Sequence, residues 1–245
     1  MGSHYDLPIA LAVLGAMGIV DLNHSQKYVF MGELSLQGDL KPIWGELPAA
    51  VYAKKQDQTL ICHVTSAQKL GWTDKVSVLG AWNLKDVIDC LQSKKTLSVP
   101  TKEPEPKSEK TYDIQFICGQ SLAKRAIEIA AAGRHNLMLI GPPGSGKTLL
   151  AKSLRSLLPP LNADEVIEVE SLKSLADKAN NQSLERSDPS FRAPHHTASA
   201  AALVGGGIQI QPGEVTLAHK GVLFLDELAE FSGKTLDVLR QSLES

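Results

Sequence analysis

The run "GPPGSGKT", residues 141–148, constrains this chain more than any other stretch. It lies between the apolar "NLMLI" (136–140), which reads as a buried strand, and "GKTLLAKSLRSLL" (146–158), a helical pattern stopped by Pro159 and Pro160. Strand, glycine-rich turn and helix in that order are the context that a G-x-x-x-x-G-K-[ST] phosphate loop requires. The glycines let backbone N–H groups turn inward with no Cβ in the way, which forms a concave nest for phosphate oxygens. The helix beginning near Gly146 adds its positive end. In this scheme Gly141, Pro142, Pro143, Gly144, Ser145, Gly146, Lys147 and Thr148 surround the phosphates. Lys147 reaches the β- and γ-phosphates, and the Thr148 hydroxyl holds Mg²⁺. A plain Gly/Pro turn ahead of a helix leaves the Lys-Thr pair unexplained. The expected ligand is a nucleoside triphosphate.

Two acids answer this loop from far along the chain. Asp226 follows the apolar run Val222 to Leu225 and is itself followed by Glu227. Such a run reads as a strand buried on both faces, and in open α/β sheets ligands collect at the carboxyl ends of the strands. If this strand neighbours 136–140, Asp226 joins the Mg²⁺ shell, and Glu227 orients and deprotonates an attacking water. A lone acid at a strand end is usually a solvated side chain, but the phosphate loop makes NTP hydrolysis the stronger reading. Lys147, Asp226 and Glu227 are therefore the expected catalytic set, with Thr148 and Asp226 on the metal.

A stiff, charged, proline-containing stretch, "VPTKEPEPKSEKT" (99–111), divides the chain. Residues 1–98 and 112–245 are the expected domains on either side of this linker. In the first, "DLPIALAVLGAM" reads as a helix capped by Asp6. "YVFMGELSL" and "LKPI" read as a hairpin turning at Gly38-Asp39, and "ELPAAVYAKK" as a helix. "TLICHV" and "VSVLGA" look like strands, and "NLKDVIDCLQS" a helix capped by Asn83. In the second domain, "SLAKRAIEIAAAG" is helical, with Ser121 available as a cap, and "KTLDVLRQSLE" is the final helix. Helices alternating with buried strands imply α/β architecture with a parallel sheet.

The remaining totals exclude little. A net charge of −2 gives no bulk signal for nucleic acid. Cys62, Cys90 and Cys118 form no C-x-x-C pair and read as reduced thiols, at least half buried, in a cytoplasmic protein. The apolar stretch 7–20 is too short to span a bilayer and reads as a buried helix. His195 and His196 invite a metal reading, but adjacent residues in extended chain point to opposite faces, and no Cys or carboxylate is suitably spaced beside them.

"YDIQFICGQSLAKRAIEIAAAGRHNLMLIGPPGSGKT", "FRAPHHTASAAALVGG" and "GEVTLAHKGVLFLDELAEF" together resemble the magnesium chelatase-like AAA+ ATPases, in their competence-protein (ComM-type) branch. The phosphate loop is generic, whereas "FRAPHH" and "GEVTLAHKGVLFLDE" are specific. The resemblance implies ATP and Mg²⁺ as ligands, a cytoplasmic homo-oligomeric ring (a hexamer in the full-length family) with ATP between subunits, and DNA as partner in branch migration. It also implies that Gly119-Gln120 lies near the adenine. The stretch containing Gly205-Gly206-Gly207 looks like the family's insert within helix 2, a candidate for substrate contact or simply a flexible surface loop. "YDLPIALAVLG" and "MGELSLQGDLKPIWGELPAAVYAKK" resemble the later half of a Lon-peptidase-like (ribosomal S5 domain 2-like) module. The peptidase serine and lysine are replaced there by "YDLP" and "LPAA", and Ser3 and Lys54 are poorly placed to substitute, so a docking role is expected rather than peptidase activity.

By the same resemblance the front module begins upstream of residue 1, and the sensor residue, trans-acting arginine and helical lid follow residue 245. The expected fold is thus a partial Lon-like module followed by a truncated P-loop AAA+ sheet with helices, a chain that binds ATP·Mg with little hydrolysis of its own. Two alternatives stand beside it: a non-catalytic nucleotide-binding interaction module, and the ATPase subunit of magnesium chelatase itself.

Overall fold

A computed structural model describes residues 3–98, 112–176, 188–206 and 210–244. They fall into two compact units, 3–98 and the remainder. The linker stretch 99–111 and Gly207 lie outside the described residues.

The first unit is built from α1 (Asp6–Ala16), β1 (Tyr28–Phe30), β2 (Glu33–Leu34), β3 (Leu40–Lys41), α2 (Glu46–Lys55), β4 (Thr59–His63), α3 (Val64–Leu70), β5 (Val78–Ala81) and α4 (Leu84–Leu91). Its parallel sheet runs β1-β4-β5. The central strand explains the core: Leu60, Ile61 and Cys62 are all fully buried. Alternate side chains leave a strand on opposite faces. Ile61 accordingly joins Leu7, Leu11, Val87 and Leu91 on one side, while Leu60 and Cys62 join Leu47, Ala50, Ala67 and Leu70 on the other. A strand covered on both faces needs the unbroken apolar run that this segment has.

Several expectations change here. Tyr28–Phe30 pairs with β4 instead of entering the hairpin, which is reduced to β2 and β3. Its turn holds Gly38 at φ +87 and is closed by the Ser35 hydroxyl, which accepts from the Asp39 amide at 3.0 Å. Asp6 does not cap α1; it is the first helical residue, and Oδ2 accepts from the Leu34 amide at 3.4 Å. Nor is α1 buried all round. Leu7 and Leu11 face the sheet while Ile9, Val13 and Met17 are more than half exposed, because only one side of this uniformly apolar helix meets the core. Asn83 does cap α4, its Oδ1 accepting from the Asp86 amide at 2.8 Å.

The second unit contains α5 (Ser121–Gly133), α6 (Lys147–Leu157), α7 (Ala163–Ala176), β6 (Phe191–Arg192), α8 (Ala200–Val204), β7 (Gly205–Gly206), β8 (Gln211–Pro212), α9 (Glu214–Leu217), β9 (Val222–Leu223) and α10 (Gly233–Glu244). β6 and β9 are parallel and β7 and β8 form an antiparallel hairpin. α6 ends where expected, with Leu158 already extended ahead of Pro159. Ile127 of α5 and Leu150 of α6 are buried in one cluster, and Leu203, Phe231 and Leu239 in another.

Residues 136–140 form no strand in the described structure, and Met138 and Ile140 are largely exposed. An apolar run becomes a buried strand only when neighbours ladder with it and helices cover it. Here only Leu139 packs, against the α5–α6 cluster. The run 222–225 is likewise half-buried, and its neighbour is β6 instead of 136–140. Cys62 is buried and Cys90 intermediate, but Cys118 is exposed, just past the buried Ile117 in a turn that does not cover it. No described helix is long and apolar enough to cross a membrane.

Candidate functional site

The phosphate loop turns on two glycines in left-handed conformation, Gly144 at φ +76 and Gly146 at φ +83, the second immediately preceding α6. Lys147 Nζ donates to the carbonyls of Gly141 and Pro142, each at 2.9 Å, so the ammonium lies against the start of the loop. The Gln120 side-chain amide donates to the Ser145 carbonyl from the other side. Gln120 is itself left-handed (φ 54) and is the cap residue of α5; Ser121 is the first helical residue and caps nothing.

The strand β9 brings the acids to this loop. Its ladder with β6 is held by the Val222 amide on the Ser190 carbonyl (2.7 Å) and the Phe224 amide on the Arg192 carbonyl (2.8 Å). A Cβ at Gly221 would lie 2.2 Å from the Ser190 carbonyl oxygen, so the close approach of these strands requires glycine there. Past the ladder, Asp226 Oδ2 accepts from Thr148 Oγ1 at 3.1 Å. Thus Thr148 and Asp226 meet even though 136–140 is not the neighbouring strand. The other Asp226 oxygen accepts from the Glu227 amide at 3.1 Å, and Glu227 is left-handed at φ 52. A non-glycine residue in that region is strained, a condition concentrated at functional positions.

Glu227 Oε2 lies 3.4 Å from His196 Nδ1. The two histidines do not point to opposite faces. Their rings are 4.1 Å apart because the chain turns after β6, with the Ala198 amide on the His195 carbonyl at 2.9 Å. Sequence reasoning therefore singled out the histidines but missed the contact. It missed a second pair as well: Arg192 forks onto Glu214, Nε donating to Oε2 at 2.6 Å and Nη2 to Oε1 at 2.7 Å, tying β6 to the head of α9. That hydrogen-bonded fork also raises the Arg192 pKa. Gly205 and Gly206 form one side of the β7–β8 hairpin, both at positive φ, and a Cβ on Gly205 would lie 2.8 Å from the Gln211 carbonyl oxygen.

The donor set fits magnesium. Thr148 offers a hydroxyl and Asp226 a carboxylate, both hard oxygens. Their 3.1 Å separation matches two adjacent ligands roughly 2.1 Å from an octahedral ion.

A glycine loop opening a helix, acids at the end of a parallel strand, and helices packed around both are the parts of a P-loop α/β domain. The chain belongs to the magnesium chelatase-like AAA+ family: the description "Magnesium chelatase, subunit ChlI" matches residues 113–245, and "Subunit ChlI of Mg-chelatase" matches residues 1–65. It is 43% identical over 249 residues to the "Competence protein ComM" of Haemophilus influenzae, covering 100% of this chain and 49% of that protein. It is 41% identical over 244 residues to "Uncharacterized protein YifB" of Salmonella typhimurium, covering 100% of this chain and 48% of that protein. A shorter match, 41% over 54 residues, is to the "Archaeal Lon protease" of Archaeoglobus fulgidus, covering 22% of this chain and 9% of the protease. The chain spans about half the length of the competence and YifB relatives.

Proposed function

We propose that this chain is the ATP-binding part of a DNA-processing AAA+ motor of the competence type. The Thr148–Asp226 hydrogen bond carries the reading, because it joins the phosphate loop to the acid pair. In this account the amides of residues 143–148 receive the β- and γ-phosphates, and Lys147 turns from the carbonyls of Gly141 and Pro142 to the γ-phosphate. Thr148 and Asp226 would hold Mg²⁺, which would neutralise charge building on the phosphates. Glu227 takes a proton from a water whose oxygen forms the new bond to the γ-phosphorus. The bond to the β-phosphate oxygen breaks, which leaves ADP and phosphate.

Gly205–Gly207 is read as part of the substrate-contacting insert, and Gly119-Gln120 as the edge of the adenine site. Residues 1–98 are read as a Lon-peptidase-like module in a docking role. The assembly is a cytoplasmic ring, a hexamer by family resemblance. In this reading turnover depends on the assembled ring, because an arginine supplied in trans is worth roughly 10³–10⁵ in rate. Titration of a fluorescent ATP analogue tests the reading: saturable Mg²⁺-dependent binding lost in Lys147→Ala supports it, and equal binding by that variant overturns it. For DNA, the full-length gene product should move a four-way junction only with hydrolysable ATP.

A further inference from the structure

Gln120 reaches the phosphate loop from the head of the neighbouring helix, where its side-chain amide meets the Ser145 carbonyl. A carbonyl oxygen only accepts, so the atom facing it is Nε2 and the amide donates. The contact stands over the next residue as well, since a Cβ at Gly146 would lie 3.6 Å from the same nitrogen. The backbone holds Gln120 for this reach. It is left-handed at φ 54, follows Gly119 at φ +70, and its carbonyl accepts from the Lys124 amide at 2.9 Å in the first turn of α5. A non-glycine residue in that region is strained, and such strain gathers at ligand clamps. Ile127 of α5 is buried with Leu150 of α6, which sets the two helices against each other. The Gln120 side chain itself is exposed and adds little to either core.

We propose that Gln120 is a positioning residue for the phosphate loop: by holding the Ser145 carbonyl on its own side, it turns the Gly146 amide to the opposite side, toward the phosphates. The inference rests on the reading of residues 141–148 as a triphosphate cradle. Carbonyl and N–H of a trans peptide lie in one plane and point opposite ways. The described backbone contains no cis peptide, so fixing the oxygen of Ser145 fixes the hydrogen of Gly146. Without the brace this peptide can rotate as a unit, because Gly146, at φ +83, has no Cβ to resist it. A rotated peptide presents its carbonyl oxygen to the phosphates and exchanges attraction for repulsion. Lys147 does not supply the brace, since its Nζ donates to the carbonyls of Gly141 and Pro142. The Gln120 side chain thus acts on the loop and not on the base.

The experiment is calorimetric titration of the 245-residue chain with ATP·Mg and with inorganic tripolyphosphate, which carries the phosphates without a base. Gln120→Ala should weaken both ligands by the same factor, about tenfold, the scale of one hydrogen bond to a charged group. Gln120→Glu keeps the size but sets an oxygen against the Ser145 carbonyl, and should lose at least as much. Both variants should keep the thermal midpoint of the parent, because the side chain is exposed. Unchanged tripolyphosphate affinity in both variants overturns the proposal. So does a loss confined to ATP, which would make Gln120 a contact of the base, or a loss that comes with a lowered midpoint. Failure of the underlying reading looks different, since the parent itself would then bind neither ligand. A second measurement needs no ligand: Gln120→Glu should move the ¹³C resonance of the Ser145 carbonyl. An unmoved resonance also overturns the proposal.

Discussion

Thr148 Oγ1 donates to Asp226 Oδ2 at 3.1 Å, across 78 residues of sequence. In the proposed function this hydroxyl and this carboxylate, both hard oxygen donors, are the two protein ligands of Mg²⁺. Thr148→Val should therefore weaken ATP·Mg binding by roughly tenfold to a hundredfold, the worth of a hydrogen bond or ligand at a charged group, about 1.5–3 kcal/mol. Thr148→Ser should retain most of the affinity. Calorimetric titration with and without Mg²⁺ checks this: in the metal-free titration the Val variant should match the parent.

Glu46 carries a separate prediction about the first unit. Burial pushes its carboxyl up to about 7, and the Ser66 hydroxyl, the Ile43 amide and Lys69 offset that only in part. A folded-state pKa above the ordinary carboxylate value means that the proton favours the folded form. The stabilisation is complete below about pH 4.5 and is lost as pH rises through 7, in total on the order of 3 kcal/mol. His63, held low by burial, acts oppositely below its ordinary value. The comparison is therefore made between parent and Glu46→Gln at each pH. Denaturant melts from pH 5 to 8 should show the parent losing stability relative to Glu46→Gln; parallel curves would contradict it.

Two glycines of the second unit should respond differently to a methyl group. At Gly221 the added Cβ meets backbone, 2.2 Å from the Ser190 carbonyl oxygen, and neither strand can give way without breaking the ladder. Gly221→Ala should cost about 3 kcal/mol or more. At Gly144 the Cβ has open space, but φ is +76. Gly144→Ala should cost only about 1–2 kcal/mol in stability. Thermal melts of the two variants give the ranking.

The helix caps offer a third contrast. Asn83 accepts from the Asp86 amide, and Asn83→Ala should cost about 1 kcal/mol. Ser121 has the right residue type at the head of α5 but makes no cap bond, so Ser121→Ala should change stability by less than about 0.5 kcal/mol.

Much of this site was legible because its signals are local. Gly144, Gly146 and Lys147 need only a turn and a helix start, and both lie within eight residues of sequence. The pairing of Thr148 with Asp226 was legible from motif chemistry, although the strand neighbour inferred to bring it about was the wrong one. Parallel ladders join segments far apart in sequence, and nothing in "NLMLI" or "VLFLD" names its partner. The same limit separated Tyr28–Phe30 from its expected hairpin, because a β-branched run reads alike whichever strand it joins. His196 was misplaced for another reason: facing was inferred from extended geometry, and the chain had already turned.

The most direct measurement of the central claim, that loop and acid hold one magnesium-bound nucleotide, is the Mg²⁺ dependence of ATP affinity in Asp226→Asn. The parent chain should bind ATP more tightly as Mg²⁺ is added, and Asp226→Asn should lose most of that gain while binding metal-free ATP as the parent does. A variant that keeps the full Mg²⁺ enhancement would contradict the account, because the Thr148–Asp226 contact would then be a surface hydrogen bond and not a cation site.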